Sequence, residues 1–149
     1  MHSKYFEDYR TNPNDFGPNP FVIDLYTETM HNFNYRTALW TGAHLQLTLM
    51  SIPAGDEIGL EVHNATDQFL RIEEGCGLVK MGPSKDSLDY QHAVCDGYAV
   101  FVPAGTWHNI INTGARPLNI YAIYSPPEHP HGTVERTKSN VDISEGHGF

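Results

Sequence analysis

From Phe21 onward the chain breaks into short apolar segments separated by turn residues. His44-Leu-Gln-Leu-Thr-Leu-Met-Ser-Ile52 alternates cleanly, as a half-buried strand does, and Pro53-Ala-Gly55 ends it. Arg36-Thr-Ala-Leu-Trp-Thr-Gly42 predicts a strand running into a turn. Ile58–His63, Phe69–Glu73, Gly77–Met81, Ala99–Pro103, His108–Asn112 and Leu118–Ser125 predict further strands, with Gly, Pro, Asn or Asp in the breaks. No stretch carries a sustained apolar stripe at the helical period of about 3.6 residues. The pattern predicts an all-β sandwich or barrel, without internal repeats.

The two ends differ from this middle. Met1 to about Pro20 carries Asn, Pro, Asp and Gly without periodicity, which predicts an irregular N-terminal arm. After Tyr124 the run Ser-Pro-Pro-Glu-His-Pro-His-Gly-Thr-Val is too rich in proline to pair as a central strand. Thr137 to Phe149 is polar, and its last residues are expected to be mobile.

Composition narrows the function classes. A length of 149 residues fits one domain with a sizeable core. A net charge of -9 argues against a nucleic-acid partner, which would need clustered Lys and Arg. The polar start lacks the apolar core of a secretion signal, and the apolar runs are too short to span a bilayer, so a cytoplasmic location is expected. Cys76 and Cys95 make no disulfide framework and no CxxC pair; in a reducing compartment both are expected as thiols.

The chemistry lies in two short patterns. In a strand, residues i and i+2 face one side, so Glu61 and His63 project together while Val62 faces away. Gln68 opens the next strand on the face of Leu70 and Ile72, and a polar head on an apolar face needs a partner. His108 follows the turn Pro103-Ala-Gly105. Two imidazoles and a carboxylate suit Fe(II), Mn(II), Zn(II) or Ni(II), with Gln68 as a weaker neutral ligand. A divalent ion held by one carboxylate would keep about one positive charge, which favours an anionic ligand, hydroxide or a polarised carbonyl.

Gly97, Pro103, Gly105, His108 and Asn112 together resemble the second motif of the cupin superfamily. Gly55, Glu61, His63, Gln68 and Gly75 resemble its first motif, Gly-(five)-His-x-His-(four)-Glu-(six)-Gly, with spacing intact. Glu61 stands where the first His would be, and Gln68 where the Glu would be. The resemblance implies a double-stranded β-helix or jelly-roll barrel over about residues 35–125, with an arm over 1–34 and a Pro/His-containing tail over 126–149. It also implies one divalent metal ion, held by Glu61, His63, Gln68 and His108. Cupins of this size are often homodimers, with Phe21-Val-Ile-Asp-Leu-Tyr26 as a swapped or edge segment.

Two His, one Glu and one Gln are the ligand types of phosphomannose isomerase-like cupins. The favoured reading is therefore a metal-dependent enzyme on a small polar metabolite, with sugar isomerisation first. An Fe- or Mn-dependent dioxygenase resembling quercetin dioxygenase is the alternative, and a non-catalytic metabolite- or metal-binding cupin the third. No side chain stands out as general base. His129 and His131 are weak candidates and are expected as solvated residues of a surface loop, while Tyr124, which ends the last barrel strand, is a weak candidate at the mouth. Gln46 either reaches the pocket or points outward, and Asn112 is expected to brace its turn by hydrogen bonds.

Overall fold

Alternating strands with one apolar face must bury that face against a second sheet. The computed structural model, which describes residues 15–138, shows this arrangement. After a short helix α1 (Leu25–Met30) come β1 (Arg36–Thr41), β2 (Gln46–Ile52), β3 (Asp67–Glu74), β4 (Gly77–Gly82), β5 (Tyr90–Val94), β6 (Ala99–Val102), β7 (Trp107–Asn112), β8 (Leu118–Ser125) and β9 (Val134–Glu135). A six-stranded sheet runs β6-β3-β8-β2-β1-β9, and a three-stranded sheet runs β5-β4-β7. All named pairs are antiparallel. The core between them includes Met50, Ile52, Leu70 and Ile72 from one sheet and Val79, Met81, Val94 and Ile110 from the other.

Inward rows of the large sheet can be read from its register. Ile72 pairs Ile120, which pairs Met50, giving an apolar row. Further along, Val102 pairs Gln68, Gln68 pairs Tyr124, and Tyr124 pairs Gln46. Gln46, Gln68 and Tyr124 are all buried. One end of this inward face thus carries amide and phenol groups.

Several expectations are corrected. Phe21–Tyr26 is not an edge strand: Leu25–Met30 is helical, capped by Asp24, whose side chain accepts from the Thr27 amide. Phe21, Ile23 and Leu25 pack on Leu39 and Leu49, covering the outer face of the large sheet. Ile58–His63 is not a continuous strand: this stretch forms isolated bridges to β7, at Glu57↔Ile111 just before it and at Glu61↔His108 within it. The cause is Gly59, whose φ of 107° breaks the extended backbone between them. Tyr90–Val94, which the pattern missed, pairs β4 as β5 with its first four residues exposed, so it has no alternation to read.

Cys76 and Cys95 are joined in a disulfide, not free thiols. Gly77 pairs Val94, so the next residues outward, Cys76 and Cys95, fall opposite each other with Cα atoms 4.1 Å apart. Register, not cysteine spacing, creates the bond. Among the described residues no helix is long and apolar enough to cross a membrane. The expected mobile end, after Lys138, lies outside the described residues, as does the arm before Asp15.

Candidate metal centre

Glu61, His63 and His108 offer one ligand atom each, all within 4.8 Å of one another. Three local features converge to give this. Glu61 and His108 exchange backbone hydrogen bonds at 3.0 and 2.9 Å, which fixes the two side by side. Two residues on, the His63 carbonyl accepts from the Gly105 amide at 2.9 Å. Gly105 has φ 83°, a conformation a side chain would strain, and so the turn before His108 closes back onto His63.

Glu61 Oε1 stands 3.5 Å from His63 Nε2 and 3.8 Å from His108 Nε2. These exceed good hydrogen-bond lengths. Both Nε2 atoms are buried without a hydrogen-bond partner. Gln68 Oε1, Tyr124 Oη and His129 Nε2 are likewise buried and unpartnered. Orphaned buried polar atoms are costly and rare, and those of His63, His108, Tyr124 and His129 belong to rings in contact with one another. A divalent cation would satisfy the two imidazoles and the carboxylate at once, so the residues present fit a metal. Glu61, His63 and His108 would hold it.

The remaining ligand atoms are already oriented. His108 Nδ1 lies 3.0 Å from the Thr106 carbonyl. His63 Nδ1 lies 3.3 Å from Glu128 Oε2. Glu61 Oε2 lies 3.4 Å from Arg36 Nη2, whose Nη1 lies 2.7 Å from Glu135 Oε1. Burial opposes ionisation of Glu61, but the facing His63 imidazole and the Arg36 charge more than offset it and hold the carboxyl at about 2. Burial pushes His63 down, yet Glu61 and then Glu128 leave it raised overall. His108 is lowered, chiefly by burial. The carboxylate is therefore ionised and His108 favours its neutral form, while the raised His63 must release its proton to bind a metal.

The weak candidates part company. His131 is half exposed and turns outward: Nε2 lies 2.8 Å from the Gly17 carbonyl and 3.4 Å from Asp15 Oδ1. His129 is not a solvated loop residue. Its ring stands edge-on, 5.1 Å from Tyr124 and 6.4 Å from His63, and burial followed by the Arg36 charge lowers it to about 3. Tyr124 is fully buried, and burial raises its phenol. Gln46 resolves inward: its amide donates to the His129 carbonyl at 2.8 Å, and its oxygen accepts from the Glu128 and His129 amides at 3.2 and 2.9 Å. Asn112 braces its turn, donating to the Ile52 and Arg116 carbonyls and accepting from the Gly114 amide.

Sequence reasoning missed Arg36, Glu128 and Glu135. A lone arginine opening an apolar strand was the available signal for Arg36, because a buried guanidinium demands carboxylate partners.

This is a double-stranded β-helix with a two-histidine, one-carboxylate cluster at one end of its barrel. The Cupin_2 family, a cupin domain, matches residues 48–124, and the chain belongs to it. The uncharacterized protein YrkC of Bacillus subtilis is similar, 55% identical over 140 residues, covering 94% of this chain and 75% of that protein. Among solved structures, BH2720 from Bacillus halodurans is 58% identical with a TM-score of 0.86, covering 87% of this chain and 98% of that one. An uncharacterized protein with a double-stranded β-helix domain from Klebsiella pneumoniae shares the fold at 13% identity and a TM-score of 0.60, covering 80% and 100%.

Proposed function

We propose that the protein is a metal-dependent cupin enzyme that isomerises a small hydroxycarbonyl metabolite, with sugar-type substrates favoured. One observation carries the reading: the unpartnered buried Nε2 atoms of His63 and His108 face the Glu61 carboxylate, and the rings of Tyr124 and His129, each with an unpartnered buried atom, stand beside His63. The first two would bind the metal with Glu61. The others suit hydroxyl groups of a bound substrate.

A divalent cation there supplies polarisation of a carbonyl or hydroxyl oxygen. The chain's own residues do the rest. Tyr124 and Gln68, side by side on neighbouring strands, orient a hydroxyl by hydrogen bonding. His129, kept neutral by burial, takes the proton from the carbon that bears the hydroxyl and returns it to the former carbonyl carbon, while the hydroxyl proton passes to the carbonyl oxygen. Arg36 holds Glu61 in place.

The test begins with metal analysis of untagged, anaerobically purified protein beside Glu61→Ala, His63→Ala and His108→Ala. Stoichiometric metal in the wild type alone supports the site; none under any loading condition sinks it. Aldose–ketose interconversion is then assayed on the loaded protein, and His129→Gln is expected to lower kcat by about 10²-fold or more. The two-histidine, one-carboxylate set also supports a second reading, an Fe- or Mn-dependent dioxygenase. Substrate-dependent oxygen uptake by the Fe(II) form would select it. Bound metal without turnover of either kind would point to a binding protein.

The expected homodimer has physical support in exposed Tyr90 and Phe101, at 62% and 68%, on the edge strands β5 and β6. Light scattering of the purified protein tests it.

A further inference from the structure

A ligand is only as good as the group that holds it. His108 is held from within its own turn, by the Thr106 carbonyl. His63 and Glu61 are not held by their own neighbours. Glu128 reaches His63 Nδ1, and Glu135 reaches Glu61 through Arg36. Both carboxylates come from the segment after β8, beyond the family match that ends at 124.

We propose that residues 126–135 are a working part of the metal centre, with Glu128 and Glu135 as positioning residues for His63 and Glu61. The inference rests on the metal-site reading and deepens it.

Three observations support it. First, the segment is fixed by buried groups. Gln46, which is fully buried, grips the amides of Glu128 and His129 and the carbonyl of His129. The buried Asp15 carboxylate accepts from the Gly132 amide at 3.1 Å, the Thr133 carbonyl accepts from the Ala38 amide at 2.8 Å, and β9 pairs β1. Second, the geometry is that of ligand support. With His63 Nε2 facing the Glu61 carboxylate, Nδ1 faces Glu128, and an imidazole whose second nitrogen donates to a carboxylate is fixed in ring orientation and tautomer and made a stronger ligand. Third, Arg36 separates the two oxygens of Glu61. Oε2 is taken by the guanidinium, while Oε1 is turned to both histidines. Glu135, at 2.7 Å, sets where that guanidinium sits.

The experiment uses the full chain stripped with chelator and titrated with Zn(II) against a competing chelator, and with Co(II) followed by visible absorption. Variants are Glu128→Ala, Glu128→Gln and Glu135→Gln. Glu128 is 31% exposed, so its substitution is compatible with folding, and thermal melting of the metal-free variants verifies that. The expected result is a Zn(II) affinity lowered about 10- to 100-fold in Glu128→Ala, with a changed Co(II) spectrum and partial rescue in Glu128→Gln, whose oxygen still accepts from His63. Glu135→Gln is expected to weaken binding in the same direction. If the wild type binds Zn(II) stoichiometrically and all three variants match it within about twofold with unaltered Co(II) spectra, the proposal is overturned and the metal centre stands. A wild type that binds neither ion overturns both.

Discussion

Arg36 and Glu61 form a buried pair, Nη2 to Oε2 at 3.4 Å, with the guanidinium only 1% exposed. The arginine cannot shed its charge, and Glu61 is ionised beside it. Their union depends on a third partner, Glu135, so one cation serves two carboxylates.

Removing that cation strands both acids. Arg36→Ala is expected to destabilise the metal-free protein by about 3–5 kcal/mol, the cost of breaking a buried pair on one side. Urea unfolding measures it. A loss under about 1 kcal/mol would mean that water replaces the guanidinium.

The metal-free protein should be most stable near pH 6.5. His129 is lowered from 6.5 to about 3, by burial first and Arg36 next, so its contribution is complete above 6.5 and drains away as pH falls toward 3. His108, lowered mainly by burial, acts in the same sense. Glu61, depressed from 4.5 to about 2, adds a further acid loss between those values. His63 is raised, so its contribution is present below 6.5 and is lost as pH rises through its folded value. Within its window each group changes stability by up to about 1.4 kcal/mol per pH unit. The urea midpoint measured across pH should show both limbs, and His129→Gln should flatten the acid one. A midpoint that keeps rising as pH falls through about 5 would contradict these assignments.

Gln68→Leu separates stability from binding. The Gln68 oxygen is buried without a partner, so an apolar side chain of similar size should leave the metal-free melting temperature equal or higher. Metal affinity should fall. Unchanged affinity would make Gln68 a pocket residue and not a ligand.

The Cys76–Cys95 bond should appear as an intact mass lower by two hydrogens without reductant. Cys95→Ser is expected to cost about 2–4 kcal/mol, since the bridge closes a loop between residues 19 apart. Equal denaturant midpoints with and without reductant would count against a structural role.

Strand alternation and two spaced motifs determined the fold class, most strand positions and the cluster of Glu61, His63 and His108. These are local quantities: period two places Gln68, Leu70 and Ile72 on one face wherever β3 lies, and Pro103-Ala-Gly105 fixes the turn into His108. Tertiary structure alone decided the rest, because it depends on register and long-range closure. Pairing Gly77 with Val94 made the disulfide, and pairing Gln46 and Gln68 with Tyr124 made the polar inward row. Gln46 drew Glu128 and His129 over the site, and β9 brought Glu135 to Arg36. Residues about a hundred positions apart in sequence have no shared period to read; only the folded sheet sets them 2.7 Å apart.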